Sequence, residues 1–331
     1  MRDTKLIFSK IIDRCALHHL HKTRSEKFQY SPLSNWIPET MDRESFYNAY
    51  TTEISLNMDE VENDYAIGKF TFESLVPSGD SANDHIEDEL YITNNEFAPN
   101  IIFVHGWRMD SLDRIKKIFH SEMRDMRWNM YYFTLPYHFQ RKPGQSLYSG
   151  EYMISADIYR TVQSIKQSVV DLRALIQWIK ANKKGPVILI GVSLGGFITN
   201  LTATLETEID ALVSIFYANR LSYSIWNTIP GKYIREDLEH HGINYNDLIR
   251  YWRITEPSQA IPKIRKEKIL LISAKHDQYV HLEDANHLWE SWDRPARYIY
   301  NCGHAGIVLK RKKIASDTIS FLQKNIGKDI E

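Results

Sequence analysis

The chain has 331 residues, 43% of them hydrophobic and 25% charged, with 41 Lys and Arg against 42 Asp and Glu. That balance argues against a dedicated nucleic-acid binder, which would carry a basic excess or stripe, and the length suffices for one large domain with its own core. Two cysteines, Cys15 and Cys302, cannot form a disulfide framework and fit free thiols in a reducing compartment, so a cytoplasmic location is expected.

No apolar run approaches the ~20 residues that a membrane-spanning helix requires. Residues 1–30 carry seven Lys and Arg against three acids. They read as a basic amphipathic helix packed on its own domain, with a membrane surface or a second subunit as the alternative contact. Lys10, Asp13 and Arg14 interrupt its apolar side before a signal-peptide core can form, so no export signal is expected. Residues 39–96 reverse the charge, with two basic residues against fifteen acids. The alternation of Ala66, Ile67, Phe70, Phe72 and Leu75 predicts half-buried strands there with charged outer faces.

From residue 97 the pattern becomes apolar strands alternating with helices. Ile101 to Val104 predicts a buried strand ending at His105-Gly106-Trp107, followed by a helix through Leu112, Ile115 and Phe119. Met130 to Phe133 is a second strand, leading into the loop Leu135-Pro136-Tyr137-His138. Val162, Ile165, Val169, Leu172, Ile176 and Ile179 share one helical face. Further strands are expected at Pro186 to Ile190, Ala211 to Tyr217, Ile269 to Ser273 and Arg297 to Tyr300, the last preceding a helix around Ile314, Ile319, Phe321 and Leu322. Repeated strand-helix-strand units imply right-handed crossovers and a mostly parallel, doubly wound α/β sheet. Ligands of such sheets bind beyond the carboxyl ends of the strands.

Gly191-Val192-Ser193-Leu194-Gly195 lies between a strand and a helix and matches G-x-S-x-G. A serine on so sharp a turn has a strained backbone, and side chains two residues before and after it would collide. Glycines at 191 and 195 remove that collision, and the helix N-terminus behind Ser193 favours developing negative charge.

With this elbow the chain resembles the α/β-hydrolase fold superfamily, over roughly residues 60–325. The expected layout is an N-terminal extension at 1–60 and a core at 61–331, with a small cap insertion at 219–262. The resemblance implies a Ser, Asp/Glu, His order along the chain, with the acid and the histidine on later strand exits. A serine hydroxyl needs a base within hydrogen-bond reach, and His304, in Cys302-Gly303-His304-Ala305-Gly306 after the last strand, is the candidate among thirteen histidines. The base needs a carboxylate to fix its tautomer. Asp277 follows the strand that ends at Ala274, with Glu283 and Asp284 as fallback acids. For the oxyanion, the resemblance implies the backbone N–H groups of Leu194 and of Trp107, in a short His-Gly-x loop; the His-Gly-Gly-Gly run of hormone-sensitive-lipase-like esterases is missing. His105 is expected to bond the loop backbone.

Residues 219–262 interleave Tyr223, Trp226, Tyr233, Tyr245, Tyr251 and Trp252 with charge. These aromatics either line an apolar substrate site or form the cap's own core. Tyr137, His138, Arg141, Tyr223 and Trp226 are the candidate substrate contacts, Arg141 as a carboxylate ligand at the rim or as a solvent-facing cation. His18-His19-x-His21 near Cys15, and His240-His241, contain ligand types, but adjacent histidines on a helix diverge. No metal, no nucleotide-binding loop and no cofactor is expected.

The expected activity is hydrolysis of a carboxylic ester through an acyl-enzyme, with a small-molecule acyl substrate as partner. Amidase, peptidase or acyltransferase chemistry with the same triad, and a non-catalytic ligand-binding protein of the same fold, are the alternatives. A homo-oligomer or surface association through the N-terminal helix is left open.

Overall fold

The computed structural model describes residue 13, residues 42–62 and residues 64–326. The expected N-terminal helix, Cys15 and the His18–His21 cluster lie outside the described residues, apart from Asp13. Among the described residues, no helix is long and apolar enough to cross a membrane.

The strands are β1 (Ser55–Glu62), β2 (Tyr65–Glu73), β3 (His85–Thr93), β4 (Asn100–Val104), β5 (Asn129–Phe133), β6 (Val187–Val192), β7 (Ala211–Ile215), β8 (Ile269–Ala274) and β9 (Ala296–Tyr300). They form one sheet in the order β1-β2-β3-β5-β4-β6-β7-β8-β9. From β5 to β9 every pairing is parallel, whereas β1, β2 and β3 join as an antiparallel meander that meets β5 through Leu90 opposite Tyr131. The sheet is thus mostly parallel, and its continuous apolar strands follow from burial on both faces.

Successive residues feed opposite layers. Ile102, Val104 and Leu189 face one core, beneath α2 (Ile158–Asn182) and α3 (Leu194–Ala203). Ile101, Phe103, Ile188 and Ile190 face the other, against α1 (Asp113–Asp125) and the C-terminal helix Ile307–Ile326. The six periodic residues of α2, from Val162 to Ile179, are all fully buried. Asp157 starts that helix by accepting the Arg160 N–H at 2.9 Å, which satisfies one of its orphan donors.

The acidic segment departs from the simple pattern at one residue. Most acids on β2 and β3 face out, as alternation predicts, but Asp88 turns inward and is 3% exposed. It accepts the Thr134 N–H at 2.7 Å, so it ties β3 to the loop after β5. Between β7 and β8 the chain forms α4 (Leu221–Asn227), α5 (Lys232–His240) and α6 (Tyr245–Trp252). Tyr251 and Trp252 are buried among them, and Trp226 stacks on Tyr245 at 5.7 Å. Tyr251 and Trp252 belong to the same apolar core as Ile102 and Leu189, and Trp226 packs against it, so these aromatics seat the insertion on the sheet domain.

Candidate active site

Ser193 stands at the exit of β6 with φ 56° and ψ −114°, immediately before α3. Such a conformation costs on the order of 1–3 kcal/mol in a non-glycine residue and persists only where its surroundings enforce it. The enforcement is visible. A Cβ on Gly191 would lie 2.4 Å from the Gly195 carbonyl oxygen, and one on Gly195 would lie 2.1 Å from the Val104 carbonyl oxygen. The Ser193 N–H donates to Ile215 O at 2.9 Å and so pins the elbow to β7. Arg108, Tyr137, Phe139 and Phe216 also have positive φ, and all sit in loops after β4, β5 or β7. With Ser193 they are five of the nine positive-φ non-glycine residues among the described residues; the other four, Asp64, Arg127, Asp293 and Arg294, lie in turns away from this edge of the sheet.

Asp277 follows β8 and His304 follows β9. The Nδ1–H of His304 donates to Asp277 Oδ2 at 2.8 Å, and Asp277 Oδ1 accepts the N–H groups of Tyr279 and Val280, each at 2.8 Å. This bonding leaves Nε2 of His304 with its lone pair. Tyr279 stacks face to face on the His304 ring at 4.6 Å, and Phe216 lies 6.0 Å from it. Neither aromatic was singled out in the sequence. The fallback acid Asp284 is buried and engaged elsewhere: it accepts the Asn219 N–H and is paired with Arg220 Nε at 2.8 Å, fixing the start of the insertion. His276 pairs with Asn301, and His281 with the Tyr223 hydroxyl.

The loop after β4 crosses Ser193 so closely that a Cβ on Gly106 would lie 3.3 Å from Ser193 Cβ. His105 Nδ1–H donates to Gly106 O at 2.8 Å, and His105 Nε2 accepts the Leu135 N–H at 3.0 Å. The loop bonding expected of His105 is present. His138 repeats the arrangement, with Nδ1–H on Pro136 O at 2.8 Å and Nε2 accepting the Arg108 N–H at 3.3 Å. Burial, reinforced by the Arg141 charge, pushes His105 down to about 4; burial and the neighbouring His105 hold His138 well below the usual histidine range. Both rings are neutral at neutral pH and act as hydrogen-bonding wedges. The Trp107 indole N–H donates to Gly150 O at 2.8 Å, and the Arg108 guanidinium lies over the Tyr148 ring at 3.7 Å.

The expected substrate contacts fare differently. Arg141 is fully enclosed rather than at a rim or facing solvent: its Nε donates to Asn83 O and one terminal nitrogen to Thr134 O, each at 2.8 Å, and the other terminal nitrogen is 3.6 Å from Asp171. A cation lodged among carbonyls and carboxylates holds the loop after β5 in place. Burial pushes Asp171 up to about 6 against the lowering effect of Arg141. His138 is likewise fully buried, and Tyr137 packs on Tyr152 at 5.9 Å with its N–H on Asn83. Tyr223 bonds His281 and Glu283, while Trp226 packs within the insertion and under Arg235.

One residue near this site was missed altogether. Asp13, read in the sequence only as an interruption of an apolar face, is fully buried and bonds the backbone of the loops that carry Asp277 and His304. An acid on the apolar side of an amphipathic segment was the available signal.

No family model matches the chain. It is 70% identical over 115 residues to the uncharacterized protein YdjC of Bacillus subtilis (strain 168), covering 99% of that protein and 35% of this chain. It is 27% identical over 233 residues to the uncharacterized protein Rv2627c of Mycobacterium tuberculosis (strain ATCC 25618 / H37Rv), where the match takes in 68% of this chain and about half, 54%, of the relative. Among solved structures it is similar to the acetyl xylan esterase from Paenibacillus sp. R4 (TM-score 0.66, 11% identity, covering 89% of this chain and 97% of that one). It is also similar to the Pyrococcus horikoshii acylaminoacyl peptidase (TM-score 0.57, 16% identity, covering 80% of this chain and 42% of that one). At such identities the structural likeness carries the architecture, and the sequence likeness carries the kinship: the chain has the α/β-hydrolase fold and belongs to the family of Bacillus subtilis YdjC.

Proposed function

We propose that the protein is a serine hydrolase acting on a carboxylic ester. Ser193 attacks the carbonyl carbon, and His304 Nε2 takes the hydroxyl proton as the Ser193 Oγ–C bond forms. Asp277 holds the His304 tautomer and stabilises the imidazolium. The N–H groups of Leu194 and Trp107 receive the oxyanion: the first belongs to the unsatisfied opening turn of α3, and the second to the loop that crosses Ser193. His304 returns the proton to the departing alcohol, and water then attacks the acyl-enzyme by the same route in reverse, releasing the acid.

The observation that carries this reading is the bond from His304 Nδ1 to an Asp277 whose other oxygen is held by two backbone N–H groups, on the same sheet edge as a serine in a strained elbow. A surface histidine has no need of so constrained a partner. Amidase or peptidase action with the same residues is the second reading, favoured by the likeness to an acylaminoacyl peptidase.

A fluorophosphonate probe applied to the wild type and to Ser193→Ala tests the proposal. Labelling of the wild type at neutral pH, lost in Ser193→Ala, is the expected result; a wild type that stays unlabelled overturns it. Relative turnover of p-nitrophenyl esters and anilides separates the two readings.

A further inference from the structure

The loops that carry Asp277 and His304 are joined by a second carboxylate. Asp13 Oδ2 accepts the His304 N–H at 3.0 Å and the Gln278 N–H at 3.3 Å, while Oδ1 accepts the Ala305 N–H at 2.9 Å. Its backbone carbonyl accepts the hydroxyl of Tyr279 at 3.0 Å, the same tyrosine whose ring stacks on His304. One residue thus binds both loops, and through Tyr279 it also steadies the face of the histidine ring.

Gly303 shows that the site is shaped for this carboxylate. Its backbone, at φ −90° and ψ −174°, is open to any residue. The three atoms nearest to a Cβ at this position are Oδ2, Oδ1 and Cγ of Asp13, at 2.6, 2.8 and 2.9 Å. Glycine at 303 is therefore explained by the approach of Asp13 rather than by the turn it occupies. Burial and the charge of Asp277 raise the Asp13 carboxyl pKa, and the two N–H bonds to its loop partners counter them. A carboxylate beside another carboxylate costs stability unless such donors are supplied.

We infer that Asp13 is a positioning residue for the reaction: its carboxylate locks the His304 loop to the Asp277 loop, with Gly303 as the clearance it requires. This rests on the triad proposed above. Asp13 touches no reacting atom. Its effect is on how often His304 stands where Ser193 can use it, and it should be read in kcat rather than KM.

The test uses the full chain, p-nitrophenyl acetate kinetics at neutral pH, fluorophosphonate labelling and thermal melting. Asp13→Ala should lower kcat roughly ten- to a hundredfold, the scale on which small misplacements act, with KM nearly unchanged. Asp13→Asn, which keeps the shape and one acceptor, should fall between it and the wild type. Gly303→Ala should reproduce the Asp13→Ala defect by displacing the carboxylate. In the double variant the two losses should not add, because each removes the same contact. Wild-type kcat in a folded Asp13→Ala protein, or losses that multiply in the double variant, would overturn the inference. If Asp13→Ala fails to melt as a folded protein, Gly303→Ala and Asp13→Asn decide the matter by the same criteria. A wild type that neither labels nor turns over the ester removes the triad itself, which is a different result from a labelled wild type matched by its Asp13 variants.

Discussion

The Nε2 atom of His138 accepts the backbone N–H of Arg108, one residue beyond Trp107 on the loop that crosses Ser193. A buried neutral histidine thereby sets the path of the loop that would supply an oxyanion donor. His138→Phe keeps the ring and removes both hydrogen bonds. It should lower kcat about ten- to a hundredfold through misplacement of that donor, and should cost about 1–3 kcal/mol of stability through the unpaired buried groups it leaves. Ester kinetics beside urea denaturation measure both; an unchanged kcat would show that the loop holds its path without His138.

Asp277→Asn separates the fold of its loop from its proposed part in the chemistry. An asparagine oxygen can still accept the Tyr279 and Val280 N–H groups, but its amide cannot accept the proton on His304 Nδ1. The imidazole then loses its tautomer, and kcat should fall on the order of 10⁴-fold with little change in melting temperature. A loss of less than about tenfold would remove Asp277 from the triad.

Gly195 and Gly144 offer a paired test of the elbow. A methyl at 195 would meet the Val104 carbonyl oxygen at 2.1 Å, whereas one at 144 meets nothing within 4 Å. Gly195→Ala should destabilise the protein by about 1–3 kcal/mol or more and abolish labelling of Ser193. Gly144→Ala should stay within about 0.5 kcal/mol of the wild type in urea denaturation.

Glu256 gives a pH dependence with a definite sign. Burial, with Asp284 adding to it, pushes its carboxyl from 4.5 up to about 7, against hydrogen bonds from Gln259 and Ser222 and the charge of Arg220. A pKa raised on folding means that the folded state holds the proton more tightly. The contribution is complete below about 4.5 and is lost as pH rises through about 7. Glu256→Gln mimics the protonated group, so its stability advantage over the wild type should grow between pH 5 and 8 by on the order of 1–3 kcal/mol. Chemical denaturation across that range checks it, and an advantage that is flat with pH would refute the assignment.

Steric rules that act over a few residues were readable in the sequence. Gly191 and Gly195 around Ser193, the six-residue stripe of α2 and the apolar strands all report local requirements, and the structure places them as read. Arg141, His138 and Asp88 were not legible, because a polar residue shows that it is buried only through partners far along the chain. Asp171 is Arg141's partner from another element, and Thr134 answers Asp88 from the loop after β5. Aromatics in the insertion posed the same difficulty: spacing alone does not tell a lining residue from a packing one, and Trp252 proves to be packing.

The bond between Asp13 and the His304 backbone spans 291 residues of sequence. Contacts of such separation form late, since the chain between them must first be brought to near its final path. During synthesis the early partner must wait until β9 and the loop beyond it have emerged from the ribosome, and the pieces of the sheet can assemble well before then. The pairing of Asp277 with His304 likewise needs β8, β9 and the loops beyond them in place, so the candidate site closes only after most of the sheet has formed.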